Sequence, residues 1–546
     1  MNLTKTWGAG ALFAHENAAQ SPNALWGALC GDILGINFET ETPCTLYIDV
    51  HGAIKTDFSC VMPNYIDGNV MTDSGEVSFV FAAVDETSVV VYTNPSLPVR
   101  LWIHGDAQCT LDGGTKKYTF GGEVLSLATL PDGYTRMLRR AENEKDEKSK
   151  KFECDIKKIT AGIMKKYEIE KIPEILPYEY EPMYRRSLAL IRTNIYPFGG
   201  RLIYGERTAH GFEANTEDLL LRAVALKDAF ADYSADTCLA VAESVRDDGT
   251  VPSSLTEKTG IAPPLVAWAF EQIFADDVQI TEKYYDTLRK TVMYYITSRD
   301  IDKNNLYQWN NSGNENSPRF DSGTIISGAD LSSYMYMSVG AMRRMAELIN
   351  RNADILYWGV MAERISTSAN DFLYDEEDGF YCDRDIVRHR QIKLKTTAGF
   401  MPLFAKMCTP AQVTALTNHI SDKAEFGAAY GLPSVARCEK SCCAAAHRGA
   451  MHPADNYKVA CGLAQSNRRQ SSEKLAAKCL EAVRRALGRD GVVYEFYSPS
   501  SCADNALLTA NGCGGEPRGL FVHRANRCDS AATAAMVVGL VNLFRE

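Results

Sequence analysis

The segment "NNSGNENSPRFD", Asn310 to Asp321, sets a single glutamate, Glu315, among four asparagines, a glycine and a proline. That composition belongs to a loop. A second carboxylate, Glu495, stands among aromatic residues in "GVVYEFYSPSS". Rings packed around a carboxyl group raise its pKa and suit it to acid/base work, although the same pattern fits an exposed Glu on a short extended segment. "HGFEANTEDLLLRAVAL" places Glu213, Glu217 and Asp218 just ahead of a helix, where the helix dipole alone favours acids. "CEKSCCAAAHRGAMH" gathers Cys438, Cys442, Cys443, His447 and His452, but their spacing matches no standard zinc module. No metal and no cofactor is expected. The acids of "DEEDGF" lack the spacing of a calcium loop and read as a turn.

These residues need a scaffold. The chain has 546 residues, more than one core usually holds. Residues 1–133 are rich in short β-forming runs such as "CTLYIDVHGAI", "EVSFVFAAV" and "TSVVVYT", separated by turn residues, which predicts a β-sandwich-like domain. Residues 134–178 are dense in Lys and Glu and read as a charged helical connector. From 179 to 546 the pattern is helical almost throughout. "DLSSYMYMSVGAMRRMAELI" puts Leu331, Tyr334, Met335, Met342, Met345, Ala346 and Ile349 on one stripe, with Asp330 placed as N-cap. Many helices without a fixed repeat predict an all-α barrel rather than a regular solenoid.

A net charge of −11 argues against nucleic acid as a partner. No stretch of about 20 apolar residues is present, so no membrane span is expected. The first twenty residues lack the apolar core of an export signal, so a cytoplasmic chain with reduced thiols is expected. Oligomeric state is not legible.

Placed in order, the motifs "DLLLRAVAL", "DDGTVP", "APPLVAWA", "SGNENSPRFD", "DLSSYMY", "YGLPSV", "HRGAMHPADNY" and "YEFYSP" resemble the barrel loops of glycoside hydrolase family 63 and its bacterial relatives. That group includes processing α-glucosidases and enzymes acting on glucosylglycerate or mannosylglycerate. The resemblance implies a multidomain chain whose (α/α)6 toroid barrel follows the β-sandwich-like domain. It implies an inverting glycoside hydrolase acting on α-linked glucosides or related small α-glycosides, with Glu315 as general acid and Glu495 as general base. It also implies that Asp218, Trp309, Asn316, Arg448, His447 and Tyr494 contact the carbohydrate. Inversion requires the two carboxyl groups to lie about 6.5–9.5 Å apart, leaving room for the attacking water.

The chain departs from the family at telling positions. Glu315 stands where the resemblance has Asp, moving the carboxyl by roughly one bond length, ~1.5 Å. Glu217, His447 and His452 stand where it has Trp. Fewer rings imply a smaller, more polar or more highly charged substrate. The competing reading is a non-catalytic carbohydrate-binding relative with a degenerate active site.

Overall fold

In the computed structural model the described residues comprise most of 26–142, then 173–208, 211–309, 317–321, 323–490, 492–501 and 530–544, with isolated positions such as 158, 505 and 508. Glu315, Asn316 and most of the expected connector lie outside them. The chain divides into two compact units. One comprises 1–173, 188–202 and 206–212; the other comprises 174–187, 203–205 and 213–546.

Among the described residues up to Ala141, the first unit holds twelve strands in two antiparallel sheets. β1 (Trp26–Leu29), β2 (Ile33–Phe38), β3 (Cys44–Asp49) and β8 (Val99–Ile103) form one, in the order β1-β2-β3-β8. The other runs β4-β5-β6-β7-β12-β11-β10-β9, from β4 (Ala53–Met62), β5 (Tyr65–Thr72), β6 (Gly75–Ala83), β7 (Ser88–Asn94), β9 (Gln108–Asp112), β10 (Thr115–Phe120), β11 (Glu123–Thr129) and β12 (Thr135–Ala141). Side chains two apart point to one face of a strand, which is why Leu46 and Ile48, Phe79 and Phe81, Val89 and Val91, and Leu125 and Leu127 share one core drawn from both sheets.

β12 corrects the expected connector, which was to be helical from 134. Met137 pairs with Leu127 on one side and Val89 on the other, and is fully buried. A strand is fixed here by two neighbours distant in sequence. The Lys- and Glu-rich composition that suggested a helix begins after it.

The second unit is helical. Its helices are α1 (Glu181–Thr193, whose first half belongs here), α2 (Thr216–Leu226), α3 (Ala231–Glu243), α4 (Val266–Ile273), α5 (Val278–Ser298), α6 (Ala329–Leu348), α7 (Asn352–Phe372), α8 (Met401–Phe404), α9 (Pro410–Ser421), α10 (Ala446–Gly449), α11 (Pro453–Gln465), α12 (Arg469–Asp490) and α13 (Ala531–Asn542). Contacts run from α2 to α4, α6, α8, α11 and α13, and from α13 back to α2. Helices α3, α7 and α12 pack against α2, α6 and α11 respectively.

The sequence explains which helices lie in that closed series. From Thr533 to Val541, α13 is buried on every face, as an all-apolar helix must be. On α6 the expected stripe is buried from Leu331 to Ala346, whereas Ile349 lies just past the helix and is half-buried; Ser332, Ser333 and Ser338 are buried too, while Arg343, Arg344 and Glu347 stay exposed. Small polar residues let neighbours approach on both flanks. Among the described residues no helix is long and apolar enough to cross a membrane.

Candidate active site

Loops leading into α2, α6 and α11 and the segment before α13 supply the walls of a cavity of about 500 Å³, a volume typical of small-ligand sites. Each wall is fixed locally. At α2, the Asn215 side chain caps the helix by accepting from the Asp218 amide at 3.1 Å. The Thr216 hydroxyl donates to the Pro252 carbonyl at 2.6 Å, fastening the "DDGTVP" turn beneath it. Glu217 and Asp218 then project from the first helical turn and both line the cavity.

The segment before α6 is held by a buried charge cluster. Arg319, 6% exposed, donates from Nη1 and Nη2 to Asp330 at 2.6 and 2.9 Å, and from Nε and Nη2 to Asp383 at 2.6 and 2.9 Å. Trp309 Nε1 donates to the same Asp330 at 2.8 Å. Asp330 is therefore not the N-cap of α6. Gly328 is, and Asp330 sits in the first turn with its carboxylate turned to Arg319 and Trp309. A side chain at 328 would put its Cβ 2.7 Å from the Trp309 ring, so this junction requires glycine. Burial opposes ionisation of Asp330, but the Arg319 guanidinium prevails and holds the carboxyl below its ordinary value.

The third wall joins two motifs. The Met451 amide donates to the Tyr497 carbonyl at 2.7 Å and the Tyr497 amide returns a bond to the Met451 carbonyl at 2.9 Å. That pairing brings "HRGAMHPADNY" beside "YEFYSP". The His447 and His452 rings stack with centroids 4.8 Å apart and planes 7° from parallel. Both line the cavity, as does Glu495, whose own carbonyl accepts from the Thr533 hydroxyl at 3.2 Å.

Of the residues expected to act, Asp218, Trp309, His447 and Glu495 meet at this one cavity. Two do not. Tyr494 is buried, 4% exposed, and packs edge-on against Tyr497 with centroids 6.2 Å apart instead of lining it. Arg448 points elsewhere and donates to Asp321 at 3.0 Å. Alternation along an extended segment explains Tyr494: if Glu495 faces the cavity, its neighbour faces away. Glu315 and Asn316 lie outside the described residues, but the chain on both sides, Trp309 and Ser317, lines the cavity. Among the described residues no group of three His, Cys, Asp or Glu side chains is placed to hold a metal.

Sequence reasoning missed several lining residues, among them Lys458, Tyr334, Thr397 and Asp455. Lys458 lies on α11 with its ammonium 3.0 Å from Glu217 and 2.9 Å from the Tyr334 hydroxyl. Burial opposes its charge, yet Tyr334, Glu217 and Asp455 hold its pKa well above the ordinary lysine value. Asp455 accepts from the Thr397 hydroxyl at 2.9 Å. The available signal was a lone Lys in "YKVACGL", an otherwise uncharged and mostly apolar run. A polar pocket of carboxylates and hydroxyls with one indole can bind a polyhydroxylated ligand and transfer protons to and from it.

Residues 217–517 match the family of the mannosylglycerate hydrolase MGH1-like glycoside hydrolase domain, more than half of the chain, and the chain belongs to it as a divergent glycoside hydrolase. Among solved structures it is similar to the GH63 mannosylglycerate hydrolase from Thermus thermophilus in complex with glucose. That match has 16% identity and a TM-score of 0.53, over 66% of this chain and all of that one. The same enzyme in complex with Tris and D-glycerate matches at 17% identity, with a TM-score of 0.53 and the same coverage. A sialidase matches at 13% identity and a TM-score of 0.52, over 87% of this chain and 52% of that one. At such identities the likeness is one of fold. An "Uncharacterized protein" of Borreliella burgdorferi is 22% identical over 185 residues, 32% of this chain; the match spans about 37% of that relative's length.

Proposed function

We propose that the protein is an inverting glycoside hydrolase acting on α-linked glucosides or related small α-glycosides. Glu495 is its general base, Glu315 its general acid, and Asp218, Trp309 and His447 hold the sugar. The helices close as an (α/α)6 barrel, a reading supported by the series of contacts that returns to α2. The observation that carries the function is convergence. Asp218, Trp309, His447 and Glu495, spread over nearly 280 residues, line one cavity, as does Ser317, so that the described chain on each side of the stretch 310–316 reaches it. In the base role Glu495 takes a proton from water as that water attacks the anomeric carbon, while Glu315 gives one to the departing oxygen.

The test is to incubate the protein with a panel of α-glucosides and α-mannosides and follow the released sugar by NMR. First-formed β-anomer is expected; first-formed α-anomer would overturn inversion. Glu495→Gln should lower kcat by roughly 10²–10⁴-fold, and undiminished turnover would remove Glu495 as base. The extra methylene at Glu315 favours a second reading, a sugar-binding protein without turnover, since a displacement of about 1 Å at a reacting group can cost roughly a hundredfold in rate. Saturable sugar binding with no hydrolysis anywhere in the panel would select it.

A further inference from the structure

One charged cluster on the cavity wall has no part in the proton transfers proposed above. Lys458 is 5% exposed, and its ammonium donates to Glu217 Oε1 at 3.0 Å and to the Tyr334 hydroxyl at 2.9 Å. An ammonium carries three N–H donors, and the third has no acceptor among the described residues. Glu217 Oε1 serves Lys458 and, at 3.4 Å, Tyr334, whereas Oε2 receives no hydrogen bond among the described residues. The Glu217 side chain is 28% exposed, and all three residues line the cavity.

Stability does not explain this arrangement. Burying an ion pair costs desolvation that its attraction often fails to recover, and well-packed apolar replacements are commonly neutral or stabilising. What the pair does offer is a donor and an acceptor side by side on the wall of a site. Adjacent hydroxyls of a sugar ring are complementary to it: one accepts from Lys458 while its neighbour donates to Glu217. Hydrogen bonds to charged groups are about twice as strong as neutral ones, and leaving such groups unmatched in a closed site carries a heavy penalty.

We infer that Glu217 and Lys458 determine sugar specificity by reading a vicinal diol of a neutral hexose. They give this site polar recognition where an aromatic platform would read only the face of the ring. The inference rests on the cavity being a sugar site, but it does not require turnover.

Binding can therefore test it without hydrolysis. The full-length protein is titrated calorimetrically with D-glucose, D-mannose and their 2-, 3- and 4-deoxy analogues. The expected result is that two adjacent deoxy positions each weaken binding at least tenfold. In the double variant E217L/K458M the parent sugar should bind at least tenfold more weakly, and the deoxy analogues should lose no further affinity. E217Q, which keeps the shape of the side chain, should blunt discrimination at one position only. Thermal unfolding of each variant is measured in parallel. If the double variant does not fold, the wild-type deoxy panel and E217Q decide. A wild type indifferent to every deoxy position, a wild type that binds neither sugar, or a folded double variant with wild-type affinity and discrimination would each overturn the inference. A deoxy pattern as expected alongside absent hydrolysis would uphold it and remove the catalytic reading instead.

Discussion

Arg319 has both halves of its guanidinium committed to buried carboxylates, Asp330 on one side and Asp383 on the other. Removing one partner of such a cluster strands the others. Arg319→Met should destabilise the protein by about 3–5 kcal/mol, read from chemical denaturation. The pH dependence has a definite sign. The folded Asp330 carboxyl lies below its ordinary value, near 3.9 when unfolded. Its stabilisation is thus fully present above that value and is lost as pH falls through the folded one. The deficit of Arg319→Met should be largest at neutral pH and narrow below about pH 4; a deficit independent of pH would contradict the ionic origin. Arg448 is a contrast. Its partner Asp321 is 40% exposed, so Arg448→Ala should alter stability by less than about 1 kcal/mol. At this scale the sequence was partly legible. Glu495 and Asp218 sit in short local motifs. The roles of Lys458 and Asp330 depend on partners 241 and 11 residues away, and of Arg319 on one 64 residues away, which no local pattern reveals.

Helices α11 and α8 approach so closely that a Cβ on Gly462 would lie 2.7 Å from the Phe404 backbone nitrogen. The clash is with main chain, which cannot rotate aside. Gly462→Ala should therefore cost about 1–3 kcal/mol. Gly488 on α12 has nothing within 4 Å of the same position, so Gly488→Ala should gain roughly 0.5–1 kcal/mol from helix propensity alone. Urea midpoints for the two variants should move in opposite directions, and a common direction would contradict the assigned packing. Helix locations were legible because apolar periodicity survives in α5, α6 and α12. The edges were less so. Asp330 looks like a cap by type but is recruited by Arg319, and β12 looks polar until its two neighbours enclose Met137.

Over the whole chain, the helical unit begins at Glu174, inside the segment expected to be connector. Residues 174–187 belong to it, and there Met183 and Tyr184 are 1% and 3% exposed while the Tyr180 hydroxyl donates to Glu481 at 3.0 Å. A fragment 213–546 lacks all three residues and should unfold at lower urea than 174–546 by several kcal/mol, since each buried large apolar side chain contributes about 1.5–3 kcal/mol. Equal midpoints would show that 174–187 adds nothing. No composition shift marks this boundary because burial, not polarity, sets it. The double use of Asp330 has a longer reach. Trp309 and Arg319 are the shoulders of the stretch 310–316, and both are fastened to this one post. A segment so anchored can be rewritten between its shoulders while they stay in place. Drift in a lineage can then exchange one acid for a longer one, or trial new neighbours around it, without each change also having to rebuild the scaffold. Loop grafts from relatives, joined at Trp309 and Arg319, are the laboratory form of the same freedom.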